Sequence, residues 1–173
     1  RPILYRGRTI QEAHGRAHGE GQEAYRRERD ERLVGDLHGV DGELANPRTP
    51  IVPGHEIVGI VDRLGPGVAS QLLGTRVGVP WLGHTCGACI YCRNGHENLC
   101  DAPAFTGYTR DGGFATHVVA DAGYAFPLAG FDDPVHAAPL MCAGVTAYGG
   151  VLKAELAPGK LAVVIGCGGL GCS

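Results

Sequence analysis

Four of the chain's seven cysteines fall within GHTCGACIYCRNGHENLC, positions 83–100. Cys86, Cys89, Cys92 and Cys100 give the spacing C-x2-C-x2-C-x7-C. Two-residue spacers let a tight loop turn its thiols inward, and Gly87 and Gly95 supply the backbone freedom such a turn needs. A tetrahedral zinc needs four soft donors at about 2.3 Å from one point. A shell closed by four thiolates leaves no place for a substrate, so an ion held there shapes a lobe. Disulfides or free thiols compete with this reading. The odd cysteine count and tight local spacing weigh against a disulfide framework and favour a reducing compartment. An iron–sulfur cluster competes too, but the last spacer is long and no proline follows Cys100. A zinc ribbon that binds nucleic acid is the third alternative. Arg93 is the only Lys or Arg between positions 81 and 101, which leaves little to attract phosphate.

The chain has 173 residues and a net charge of −3, with Lys153 and Lys160 as its only lysines. That length suits one domain, or one domain and part of another. The acidic balance argues against nucleic-acid and membrane-surface partners, and no apolar run is long enough to span a bilayer. No secretory pattern is visible, so a cytoplasmic location is expected. Residues 11–32 contain no Val, Ile, Leu, Met or Phe, and residues 1–35 are expected to be an atypical, disordered or mis-framed segment. From position 50 strand signals follow one another: HEIVGIVDRLG, TRVGVP at 75–80, GGFATHVVA at 112–120 and GYAFPL at 123–128. Residues 36–140 are read as a mainly β domain with a zinc lobe at 81–105. Asp133-Pro134 is a helix start. CAGVTAYGGVLKAEL, 142–156, sets Val145, Tyr148, Leu152 and Leu156 on one helical face, with Pro158-Gly159 as a stop. KLAVVIG, 160–166, reads as a buried parallel strand, and GCGGLG follows it.

GHEIVGIVDRLGPGV, 54–68, fits G-H-E-x2-G-x5-G-x2-V. With the cysteine loop, VPGHEIVG, GVPWLGHTCGACIYC, ENLCDAP, PLMCAGVTAYG and the glycine run in that order, the chain resembles the zinc-dependent medium-chain alcohol dehydrogenases over roughly residues 35–173. The resemblance implies a GroES-like β-barrel catalytic domain, then the first strand and glycine turn of a truncated Rossmann domain within 141–173. It implies a second, catalytic zinc on His55 and Cys142, with Glu56 as ligand or neighbouring carboxylate. The two-cysteine, one-histidine zinc of alcohol dehydrogenase is a standing example of such a site. Three protein ligands leave one position for an alcohol oxygen, whose pKa the metal lowers before hydride passes to NAD or NADP. The resemblance also implies that Asp36 orients His55 from outside the ligand set and that His38 relays a proton. It places Trp81 in the pocket for a small alcohol or aldehyde and Thr146 at the nicotinamide. Gly166, Gly168, Gly169 and Gly171 would let the backbone approach a pyrophosphate. A homo-oligomer is expected for the full-length protein.

One run departs from the family. Where the family has C-x-T/S-D-x-H, this chain reads Leu33-Val34-Gly35-Asp36-Leu37-His38. Leu33 offers no lone pair and Gly35 no hydroxyl. A shifted reading frame upstream of about residue 35 would explain both this and the apolar-free segment. The expected function is reversible oxidation of an alcohol to an aldehyde or ketone, with this particular chain inactive. The alternative is a non-enzymatic zinc-binding pseudoenzyme or fragment that keeps only the four-cysteine site.

Overall fold

A computed structural model describes residues 2–7, 42–44, 48–166, 168, 170 and 171. Its centre is the strand carrying the Ile/Val run, Ile57–Leu64, here β2. Ile57, Val58 and Gly59 are all buried, and from Ile60 onward outward residues reach solvent. The strand is therefore covered on both faces over its first half. One face meets Ile57, Val61, Val77, Val79, Val118, Ala120 and Ala125. The other meets Val58, Leu128, Ala137 and Ala138, with Met141 packed against them. Period-two alternation sends neighbouring residues to opposite faces, which is how one short strand feeds two apolar clusters.

β3 (Arg76–Val79) pairs antiparallel with β2, Ile57 opposite Val79 and Ile60 opposite Arg76. Numbering in chain order, β1 is Pro2–Gly7, β4 Leu82–His84, β5 Ala104–Phe105, β6 His117–Asp121 and β7 Phe126–Pro127. Five of these form one sheet in the order β6-β1-β2-β3-β7, and β4 and β5 form a second. Met141 lies close against β3 because position 78 is glycine: a Cβ there would fall 2.9 Å from Met141 Cε and 3.2 Å from Leu128 Cδ1. The mainly β, GroES-like reading of the central region agrees with this architecture.

The segments 112–120 and 123–128 supply β6 and β7 as expected, at opposite edges of the sheet. Two expectations differ from what forms. Pro2–Gly7 lies within the segment read as atypical, yet it is an inner strand, antiparallel to both β2 and β6. Residues 8–41, with Leu33, Gly35, Asp36 and His38 among them, lie outside the described residues. Second, residues 160–166 form no strand, and Leu161 and Ile165 are 89% and 96% exposed. A parallel strand needs neighbours on both sides for its ladder and its apolar faces, and among the described residues none is present. The expected first strand of a Rossmann domain is thus not found among the described residues.

The C-terminal helices follow their local signals. α2 (Pro134–Ala137) has Pro134 in its first turn, and the Asp133 carboxylate accepts from Val135 N at 2.8 Å. A 3-10 turn, Ala138–Met141, leads into α3 (Ala143–Lys153); α1 is Ile90–Arg93 in the cysteine loop. α3 ends before the Pro158-Gly159 stop, and Glu155 takes a positive φ of 48°. Its expected apolar face, Val145, Tyr148, Leu152 and the following Leu156, is exposed.

The Val135 N–H bond and then the His136 side chain hold the Asp133 carboxyl below its usual range. A carboxyl lowered in the fold stabilises above its unfolded pKa and loses that stabilisation as pH falls through the folded value. Asp133→Asn keeps an accepting oxygen but no titration. It is expected to show a shallower loss of urea resistance than the parent as the solution is acidified through the carboxylate range.

Candidate metal centres

The cysteine lobe hangs between β4 and β5. Cys86, Cys89, Cys92 and Cys100 bring their four Sγ atoms within 4.8 Å of one another. Ligands at about 2.3 Å from a tetrahedral centre lie about 3.8 Å apart. Cys86 to Cys92 is 3.9 Å and Cys89 to Cys92 is 3.5 Å, so these two separations are close to those a zinc requires. Backbone amides point at them. Ala88 N and Cys89 N donate to Cys86 Sγ at 3.4 and 3.3 Å, and Cys92 N donates to Cys89 Sγ at 3.5 Å. Cys86 N and Ala102 N donate to Cys100 Sγ at 3.3 and 3.4 Å.

Such donors favour thiolate over thiol. The amides of Cys92 and Asp101 bring Cys89 down to about 6. The amides of Ala88 and Cys89 lower Cys86. The quartet cannot ionise freely as a set, because each new anion is repelled by the others. Cys92 shows this: the Thr85 hydroxyl favours its thiolate, but burial and the thiols of Cys89 and Cys100 push it up to about 11. A divalent cation at the centre would remove that repulsion.

A second set converges where β2 begins. His55, Glu56 and Cys142 each offer one donor atom, and the three donors lie within 4.8 Å of one another. The spacing suits one small ion with imidazole, carboxylate and thiolate ligands. His55 and Glu56 immediately precede β2, and Cys142 sits at the junction of the 3-10 turn and α3, whose first backbone bond includes Thr146 N to Cys142 O at 3.1 Å. The imidazole and the thiol, 87 positions apart in sequence, therefore reach one point. His55 is 6% exposed. A polar ring is buried that deeply only with partners, and the metal geometry supplies a purpose for it.

A strap of glycines holds His55 in place. Gly112 N donates to Val52 O at 2.7 Å, Gly113 N to Gly54 O at 2.8 Å and Phe114 N to Pro53 O at 3.0 Å. Gly54 has φ of 100°, which L side chains rarely adopt. The two chain segments touch backbone to backbone: a Cβ on Gly112 would fall 2.7 Å from Pro53 O and closer still to Gly54 O. The strap joins the glycine pair at 112–113 to the GHE motif, a long-range pairing that sequence spacing does not specify.

Trp81 is close to this second set. Its ring meets the His55 ring edge-on at 5.4 Å between centroids. Phe105 and Tyr108, neither of them singled out from sequence, stack on Trp81 at 4.9 and 5.7 Å. Thr146 is on the second turn of α3 and exposed. Gly166 is in an open stretch with φ of 100°. Gly168 and Gly171 lie in a bend and a turn, and no helix follows among the described residues; Gly169 lies outside them.

Comparison with known proteins gives this geometry a context. The model of the alcohol dehydrogenase GroES-like domain matches residues 34–130. An alcohol dehydrogenase of Geobacillus stearothermophilus is 44% identical over 137 residues, covering 79% of this chain and 40% of that protein. Among solved structures, a cinnamyl alcohol dehydrogenase from Sorghum bicolor is 31% identical with a TM-score of 0.75, covering 98% of this chain and 45% of that one. A thermostable alcohol dehydrogenase from Pyrobaculum aerophilum, solved with cobalt and zinc bound, is 25% identical with a TM-score of 0.74, covering 99% and 46%. The chain thus spans about two-fifths of the curated relative's length and under half of each solved one. Since the matched domain model takes in more than half of the 173 residues, the chain belongs to the GroES-like family of the zinc alcohol dehydrogenases.

Proposed function

We propose that this chain is the metal-bearing catalytic portion of an alcohol dehydrogenase that interconverts an alcohol with its aldehyde or ketone, using NAD or NADP. The convergence of His55, Glu56 and Cys142 beside Trp81 carries the reading. A zinc ion held there would act as a Lewis acid on the substrate oxygen, and a nicotinamide would take the hydride. The chain's own residues do the rest. His55 and Cys142 fix the ion's position, and Glu56 adds a carboxylate at its edge. Trp81, held by Phe105 and Tyr108, walls the space beside His55 and favours a small alcohol. In the full protein His38 would pass the proton to solvent and Asp36 would orient His55. Gly166, Gly168, Gly169 and Gly171 would form the pyrophosphate turn, and Thr146 would lie along the nicotinamide. A cytoplasmic homo-oligomer without nucleic-acid or membrane partners completes the proposal. Among the described residues no single helix is long and apolar enough to cross a membrane.

Metal content tests the site. The purified chain loaded with zinc is expected to retain two ions, and His55→Ala with Cys142→Ser is expected to retain one. A parent chain that holds only one ion overturns the catalytic-site reading and leaves the four-cysteine site alone. The 173-residue chain itself is expected to produce no NADH from alcohols. Leu33 stands where the family has a ligand, and residues 160–171 form no nucleotide fold among the described residues. Alcohol-dependent absorbance at 340 nm above a protein-free control would contradict that.

A further inference from the structure

Cys142 has no strand to hold it. It stands at a bend of 54° between two helical stretches, Pro134–Met141 and Ala143–Lys153, with a φ of −137° and a ψ of −75° that continue neither. The helix after it buries none of its residues. The Cys142 N–H donates to Pro139 O at 3.2 Å, back into the 3-10 turn. The place of the thiol is therefore set from the N-terminal side, where Ala138 and Met141 pack against the body.

Strand register builds the seat for that packing. Val58 stands directly opposite Gly78 across the β2–β3 pair, and residues so paired share one face of the sheet. Val58 belongs to the apolar cluster with Leu128, Ala137 and Ala138. Gly78 beside it has no side chain, which leaves a notch in that face. The end of Met141 fills the notch: a Cβ on Gly78 would fall 2.9 Å from Met141 Cε and nearer still to its Sδ. An unbranched thioether suits such a gap, and Met141 is the chain's only methionine. Val58 follows His55 by three positions, and Met141 immediately precedes Cys142. One apolar contact thus joins the two chain segments that supply the donors of the second metal set.

We propose that Met141, seated in the notch at Gly78, is a positioning residue for that set, holding the Cys142 thiol at its distance from His55 and Glu56. The inference rests on the reading of His55, Glu56 and Cys142 as a metal site. A ligand's place must be fixed by packed neighbours outside the ligand set, and such neighbours are worth about 10–100-fold in metal affinity. A contact made by packing alone belongs at the lower end of that range.

The test uses the 173-residue chain with zinc in the quartet and cobalt titrated into the second set, where the sulfur-to-cobalt charge-transfer band reports Cys142 alone. Met141→Ala is expected to weaken cobalt binding about tenfold and to diminish the band. Met141→Leu, close in volume, is expected to stay near the parent. Gly78→Ala puts a methyl where Met141 ends. It is expected to weaken cobalt binding, to move the single methionine methyl resonance of isotope-labelled protein, and to add nothing in a chain that already carries Met141→Ala. Zinc release from the quartet is expected to be unchanged in all of them. Val118→Ala truncates the other apolar cluster and controls for general loosening; it is expected to keep parental cobalt affinity. Parental affinity in Met141→Ala overturns the proposal. So does a Val118→Ala chain weakened to the same degree, or a Gly78→Ala effect that persists in full on top of Met141→Ala. A parent chain that binds no cobalt once its quartet holds zinc overturns the reading of the second site, and this inference with it.

Discussion

Cys92→Ser is expected to release the quartet's metal and open the lobe between β4 and β5 while leaving the main sheet folded. The argument is one of burial. Within the loop, Ile90 is 63% exposed and Leu99 54%, and of the four cysteines only Cys100 is buried. So little apolar area is covered that packing cannot offset the entropy of ordering some fifteen residues at about 1–2 kcal/mol each. A structural zinc supplies about 10–16 kcal/mol at neutral pH, which is of the right size to close the gap.

Trypsin reads the outcome directly, since Arg93 is the only tryptic position between 81 and 101. The zinc-loaded parent should resist cleavage after Arg93, whereas Cys92→Ser and the chelator-treated parent should be cut there rapidly. A Cys92→Ser chain with full zinc and no cleavage would contradict the prediction. The pH dependence has a definite sign. Cys92 holds its proton up to about pH 11 in the free lobe, so binding near neutrality must expel it, and apparent affinity must rise with pH.

The cysteine cluster and the central strands were legible in the sequence because their signals are local. The cysteine spacing names a cluster without any knowledge of the fold, and the Ile/Val alternation at 57–64 is enough to make a strand. His55 and Cys142 were legible only through family motifs, since nothing in the 86 intervening positions dictates that they meet. Pro2–Gly7 shows the opposite case. Its Ile, Leu and Tyr are good strand formers, but six residues beside an apolar-free stretch give too short a pattern to outweigh their neighbours. Residues 160–166 carry a stronger apolar pattern and form no strand, because a parallel strand is a property of its partners rather than of its own residues. The α3 face fails for the same reason: Val145, Tyr148 and Leu152 have helical spacing, and among the described residues no apolar surface covers them. The Gly112 strap left no readable trace, because it joins segments far apart in the chain by backbone bonds alone.

Glycine substitutions at two positions should act with opposite sign, and the difference tests whether the strap positions His55. At Gly112 an added Cβ would fall 2.7 Å from Pro53 O and 2.8 Å from Gly107 Cα, and nearest to Gly54 O. All are backbone atoms, so no side chain can swing away. Overpacking of this kind costs about 1–3 kcal/mol, and parting the strap weakens hydrogen bonds worth about 1 kcal/mol each. Gly112→Ala is therefore expected to lose about 3 kcal/mol, lowering Tm by roughly 6–12 °C for a chain of this size. At Gly150, inside α3, nothing lies within 4 Å of an added Cβ. There alanine relieves a helix penalty of about 1 kcal/mol, and Gly150→Ala should raise Tm slightly. The strap also bears on the metals unequally. Gly112 hydrogen-bonds beside His55 and makes no contact with the cysteine lobe's sulfurs, so Gly112→Ala should weaken the ion at His55, Glu56 and Cys142 and leave the quartet's release rate unchanged. Equal weakening at both sites, or none at the His55 site, would show that the strap stabilises the body without aiming the imidazole.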